Sequence, residues 1–144
     1  MYMEEIKMNI KPSEKLQDLI DLLDKDNMLL KEFLWFLYDE NDNDINFLLQ
    51  QEAICFGITE TKKDYGITHM DIVVVKEIVE GIIEKAWTHV SKDSGTLVLF
   101  SDTKQYSYEK LNALMSMILP YNEVGRVVNI SKKSYTGLLV QRIK

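Results

Sequence analysis

The sequence predicts an α+β domain in which an N-terminal bundle of three to four helices packs on a C-terminal β-α-β-β unit. Three observations carry that expectation. Apolar residues recur at three- and four-residue spacing up to about residue 91, the mark of amphipathic helices. Thr96 to Phe100 is a short, β-branched, continuously apolar run, which suits a buried strand. Gly125–Ile130 and Tyr135–Ile143 are also strand-like, and Ser131 to Ser134 between them has a hairpin-loop length. A chain of 144 residues is expected to form one domain, 1–144, with a mainly helical part at 1–91 and the β-α-β-β part at 95–144.

The first helix opens at Pro12 and Ser13. Ser13 is a fitting N-cap, Glu14 favours the positive helix end, and Leu16, Leu19, Ile20 and Leu23 make one stripe. After the polar break Asp24–Asn27, with Asn27 as a second cap, Leu30, Phe33, Leu34 and Leu37 repeat the pattern, and Trp35 and Phe36 widen its apolar face. The crowded acids of Asp39–Asp44 end that helix. Asp44 then caps a third helix running to Phe56, with Gly57 at its left-handed end.

Thr59–Gly66 is a polar loop, and Thr68 with Asp71 resembles a capping box. Ile72, Val75, Val79, Ile82, Ile83, Ala86 and Val90 then predict a long helix. The Val73–Val75 run would suit a strand, but the helical period holds for longer. Beyond the turn at Ser91–Gly95 and the Thr96 strand, Ser107 caps a helix through Leu111, Leu114, Met115, Ile118 and Leu119, which Pro120 stops. A right-handed crossover would make the strands on either side of that helix parallel, if they share a sheet and neighbour each other.

Composition bounds the class. Hydrophobic residues at 46% and charged residues at 28% are those of a globular domain. The lone Cys55 precludes an internal disulfide and favours a reducing cytosol. No apolar run has the length of a membrane span, so no membrane partner is expected.

Charge is unevenly placed. From Gly125 onward there are five basic residues, Arg126, Lys132, Lys133, Arg142 and Lys144, and no acid, whereas the rest of the chain balances to −11 within a total of −6. The basic hairpin can meet an anion, either nucleic-acid phosphates or an acidic protein surface, including the Asp39–Asp44 segment of a second copy. The acidic bulk opposes nucleic acid, which makes a protein partner or a homo-oligomer the better expectation. Tyr106, Tyr108, Tyr121 and Tyr135 near basic residues could serve as base-stacking platforms, but tyrosine is common at strand and helix ends without any ligand, which is the favoured reading.

No assembled catalytic set is visible. A calcium loop starting at Asp39 would place Asp44 where a Gly is needed and Gln50 where a Glu is needed. Cys55, between Ile54 and Phe56, reads as a core residue rather than the nucleophile of a pair with His69. Neither a metal nor a cofactor is implied.

The leading expectation is therefore a small non-catalytic regulatory or inhibitory protein that binds a macromolecular partner. Trp35, Phe36 and Tyr38, with Arg126, Lys132, Lys133 and Arg142, are its candidate contacts. Nucleic-acid binding through the basic hairpin is one alternative. The other is a small enzyme or ligand-binding domain at Ser101, Asp102 and Thr103, because ligands of α/β folds gather beyond the carboxyl ends of strands.

Overall fold

The computed structural model describes residues 10–25, 30–38, 43–58 and 68–144. The expected cap at Asn27, most of the Asp39–Asp44 run and the Thr59–Gly66 loop lie outside them.

The elements, in chain order, are α1 (Glu14–Lys25), β1 (Leu34–Tyr38), α2 (Asn43–Gln50), β2 (Ile54–Ile58), β3 (Ile72–Val75), α3 (Ile82–His89), β4 (Thr96–Asp102), α4 (Tyr108–Ile118), β5 (Val124–Ser131) and β6 (Tyr135–Arg142). The strands form one six-stranded sheet in the order β2-β1-β3-β4-β6-β5. β2, β1, β3 and β4 are parallel, and β6 runs antiparallel between β4 and β5. The N-terminal part is therefore not a helical bundle: it supplies three parallel strands of a two-sided α/β sandwich.

The correction has a physical cause in each element. Leu34–Tyr38 is a continuous apolar run, and its last four residues are buried. Helices cover both faces of this strand, so it has no polar alternation to betray it. Trp35 and Leu37 face the core layer of α1 and α2, while Phe36 and Tyr38 face that of α3 and α4. The spacing of Leu30, Phe33, Leu34 and Leu37 imitates a helix only because an isolated 3-10 turn, Leu30–Glu32, precedes the strand.

The expected helix from Asp44 to Phe56 is split. α2 ends at Gln50, Glu52 takes a positive φ of 64°, and β2 follows. Gly57 is a strand residue pressed against Ile45 of α2, whose side chain occupies the space a Cβ would need. The long helix expected from Ile72 to Val90 is likewise a strand and a helix. Ile72 and Val74 pack on one layer, Val73 and Val75 on the other, and Gly81 at φ 80° admits the turn into α3. Its apparent 3.6 period is a coincidence of spacing: Val75, Ile82, Ile83, Ala86 and Val90 share one layer, but Ile72 packs in the other and Val79 is exposed.

Two helix caps and the hairpin agree with expectation. The Ser13 hydroxyl accepts from the Leu16 amide at 3.3 Å, and Ser107 accepts from that of Lys110 at 3.3 Å. The hairpin of β5 and β6 forms, with Ser131 to Ser134 exposed. β4 and β5 run in the same direction, but β6 lies between them, so they do not pair.

This winding creates one topological switch point. α2, which follows β1, packs on one face with α1, whereas α3, which follows β3, packs on the other. β1 and β3 are neighbours whose following helices lie on opposite faces, so their carboxyl ends mark the usual place for a ligand in an open α/β sheet. Among the described residues no helix is long and apolar enough to cross a membrane.

Candidate functional site

At the carboxyl ends of β1 and β3, Asp44, Ser13 and Lys76 are joined in a clasp. Asp44, in the first turn of α2, has 0% exposure. Its Oδ1 accepts from the Ser13 amide at 2.7 Å, and its Oδ2 accepts from the Ser13 hydroxyl at 2.5 Å. Lys76, the residue after β3, reaches Oδ2 with its Nζ at 2.6 Å. Burial alone would raise the Asp44 pKa, but the hydrogen bonds from Lys76 and Ser13 outweigh it and hold the carboxyl below the usual range. Asn43 adds a bond from Nδ2 to the Lys11 carbonyl at 2.9 Å, so the segment entering α1 is tied over the switch point.

Beside this clasp lies an open cleft of about 460 Å³, lined by Lys15, Lys76, Glu77, Asp102, Lys104 and Gln105. It sits beyond the carboxyl ends of β3 and β4. Lys15 projects from α1 and donates to the Lys76 carbonyl at 3.1 Å, with its ammonium 5.9 Å from the centre of the Tyr135 ring. Burial first, and the neighbouring Lys76 charge second, hold the Lys15 pKa below that of an ordinary lysine. The Asp102 carboxylate accepts from the Lys104 amide at 2.9 Å, which shapes the turn that carries Lys104 and Gln105. Lys76 is neutralised by Asp44, so Lys15 and Lys104, neither of them in an ion pair among the described residues, are the two cations of this half-open space that can meet an anion.

Of the three residues expected at a ligand site, Asp102 alone lines the cleft. Ser101 is buried in β4, where its hydroxyl donates to the Asp102 carbonyl at 3.1 Å. Thr103 is exposed, and its amide donates to the Ser134 carbonyl at 3.3 Å. Sequence reasoning missed Lys15, Lys76, Glu77, Lys104 and Gln105. The missed signal was Lys76-Glu77 directly after a β-branched run: with Ile72–Val75 read as a strand, both fall at its carboxyl end.

The partner candidates do not gather. Trp35 and Phe36 are 0% exposed and Tyr38 is 6% exposed, so this trio is core rather than contact surface. The Tyr38 hydroxyl lies 3.0 Å from Nε2 of buried His89, whose ring stacks on Phe36 at 4.4 Å. Lys132 and Lys133 are exposed in the hairpin loop at the cleft end of the sheet, with Lys132 3.7 Å from Asp18. Arg126 is exposed on β5, toward the opposite end of the hairpin.

Arg142 is buried at that opposite end. It donates to the carbonyls of Trp87 at 2.7 Å and Lys144 at 2.6 Å, pairs with Glu123 at 3.0 Å and lies over the Trp87 ring at 4.7 Å. This is a clamp joining α3 to β6. Arg142→Met is expected to lower stability by about 3 kcal/mol, because Glu123 and the carbonyls lose a charged donor. Urea unfolding measures it, and a loss below about 1 kcal/mol would refute the clamp. Among the described residues no three His, Cys, Asp or Glu side chains assemble to hold a metal ion.

No protein-family model and no curated protein matches the chain. Solved structures do. The chain is similar to phosphoethanolamine N-methyltransferase 2 of Haemonchus contortus, solved with S-adenosyl-L-methionine, at a TM-score of 0.63 and 14% identity over 88% of this chain. It spans only 36% of that enzyme. It is also similar to a ribosomal-protein methylase of Lactobacillus delbrueckii, with a TM-score of 0.55 and 12% identity, covering 99% of this chain and 91% of that one. A methyltransferase of Pyrococcus furiosus gives 0.55 and 10% over 97% and 91%.

The fold is thus the mixed-sheet, Rossmann-like fold of methyltransferases, not a helical bundle on a separate unit. That finding also corrects the expectation of a non-catalytic regulatory or inhibitory protein. The alternative expectation, a small enzyme or ligand-binding domain near Asp102, agrees better with a fold shared with these methyltransferases.

Proposed function

We propose that the chain is a small-molecule-binding domain of the methyltransferase fold, and that it takes an anionic ligand in the cleft beyond β3 and β4. One observation carries the proposal: Lys15 and Lys104, two lysines outside the Lys76–Asp44 pair, converge at the position where open α/β sheets bind ligands, with the Lys15 charge already destabilised by burial and by Lys76. An anion entering the cleft would relieve that cost.

S-adenosylmethionine, with which the Haemonchus contortus enzyme was solved, does not fit the residues present. Close approach of such a ligand to the first βα turn needs glycine there. Residues 38–44 instead read Tyr-Asp-Glu-Asn-Asp-Asn-Asp. The Asp44 carboxylate is already committed to Ser13 and Lys76. Methyl transfer is the second reading, favoured by the TM-score of 0.63 to an enzyme solved with that cofactor.

Titration calorimetry with inorganic phosphate, and separately with S-adenosylmethionine, distinguishes the two readings. Phosphate is expected to bind, and Lys15→Met to weaken it at least about tenfold, roughly 1.4 kcal/mol. Affinity is expected to fall as pH rises, starting below the free-lysine value of about 10.4, since Lys15 loses its proton early. Lys76, Asp102, Glu77 and Asp44 are the charges that set this shift. Failure of phosphate to bind, with S-adenosylmethionine binding in its place, would replace the first reading by the second.

A further inference from the structure

Gln105 belongs to two cavities at once. It lines the lysine cleft, and it also lines a second space of about 470 Å³ between the start of α3 and the outer side of α4. The second space has a different chemistry. Ile78, Val79, Leu114 and Ile118 supply an apolar wall, Tyr106 stands at its edge, and Glu80 and Glu84 supply the charge. The shared wall is thin: Gln105 is exposed, and its Nε2 donates to the Ile78 carbonyl at 3.3 Å, long for such a bond. A carboxamide on a rotatable stem can turn aside and offer its oxygen and nitrogen to a ligand.

Charge divides the two chambers in opposite senses. The first has Lys15 and Lys104 beside Asp102 and Glu77, with Lys76 neutralised by Asp44, whereas the second, among the described residues, is lined by two carboxylates and no cation. An anionic group is attracted to the first and repelled by the second, which fixes the direction in which an elongated ligand would lie. Each chamber has a volume ordinary for ligand pockets, and apolar walls with a few polar groups are their usual lining. Val79, in the connection between β3 and α3, is 38% exposed and so is open to a ligand.

From this juxtaposition we infer that the two chambers form one site for an amphiphilic anion. Its charged group sits among the lysines, Gln105 holds the joint, and an aromatic ring or branched alkyl body lies against Val79, Leu114 and Ile118. The inference rests on the proposed anion cleft and narrows its ligand class: inorganic phosphate fills only half the site.

The test is calorimetric titration of the full chain with inorganic phosphate and with 2-naphthyl phosphate, repeated on Val79→Glu and Lys15→Met. Naphthyl phosphate is expected to bind the unaltered protein at least tenfold more tightly than phosphate. Val79→Glu is expected to bring it down to the affinity of phosphate, and Lys15→Met to weaken both. Methyl NMR spectra should show Leu114 and Ile118 shifting with naphthyl phosphate and not with phosphate.

Equal affinities for the two probes would overturn the two-chamber inference and leave the anion cleft standing. A naphthyl advantage that survives Val79→Glu, with Leu114 and Ile118 unshifted, would also overturn it, because the ring would then bind elsewhere. If neither probe binds, the anion cleft itself fails, and the inference fails with it.

Discussion

Trp35→Ala is expected to lower stability by about 4 kcal/mol, the cost of emptying a fully enclosed aromatic site. Trp35 is central in β1, between Cys55 of β2 and Ile72 of β3, with no exposed surface. Its indole donates to the Leu30 carbonyl at 2.9 Å, so truncation removes both packing volume and the partner of a partly buried acceptor. Trp35→Phe retains most of the volume and is expected to cost about half as much. Urea unfolding followed by circular dichroism measures both variants. A loss under about 1 kcal/mol for Trp35→Ala, with the native spectrum kept, would return this residue to the surface role first expected of its segment.

Asp44→Ala is expected to lower stability by about 3 kcal/mol. Removing one member of a buried ion pair strands the other, which usually costs about 3 to 5 kcal/mol. The low end applies because the Lys76 side chain keeps 20% of its surface and can turn toward water. The Ser13 amide and hydroxyl also lose their acceptor. The pH dependence follows from the direction of the shift. The Asp44 carboxyl is held below its unfolded value of about 3.9, so its stabilisation is whole above about pH 4 and is lost as pH falls through the folded value. The Ala variant should therefore unfold in acid with a shallower dependence on pH than the parent. Identical acid profiles for the two proteins would show that the clasp contributes nothing.

The clasp and the cleft were legible in the sequence only in part. Asp102 was visible because Thr96–Phe100 is bounded by a turn and flanked by polar residues, so its carboxyl end could be located. Lys76 and Glu77 occupy the equivalent position after β3. They were hidden because Ile72–Val75 joins Ile82–Val90 in a pattern that looks like one helix. Lys15 was hidden for a different reason: it sits on a helix whose surface charges are ordinary. Only the packing of α1 beside Tyr135 and Lys76 desolvates it.

Local chemistry determined what local chemistry controls. Ser13 and Ser107 start α1 and α4 because their side chains satisfy backbone amides within three residues. Ser131–Ser134 turns the hairpin, and the apolar run at Thr96 forms its strand. Pairing within the sheet belongs to the tertiary structure. β1 lies between β2 and β3, and β6 separates β4 from β5, through contacts between residues far apart in sequence. An apolar run such as Leu34–Tyr38 serves a buried helix and a strand covered on both faces equally well. The choice between them is made by the layers that close over Trp35 and Phe36, and those layers exist only once the chain has folded.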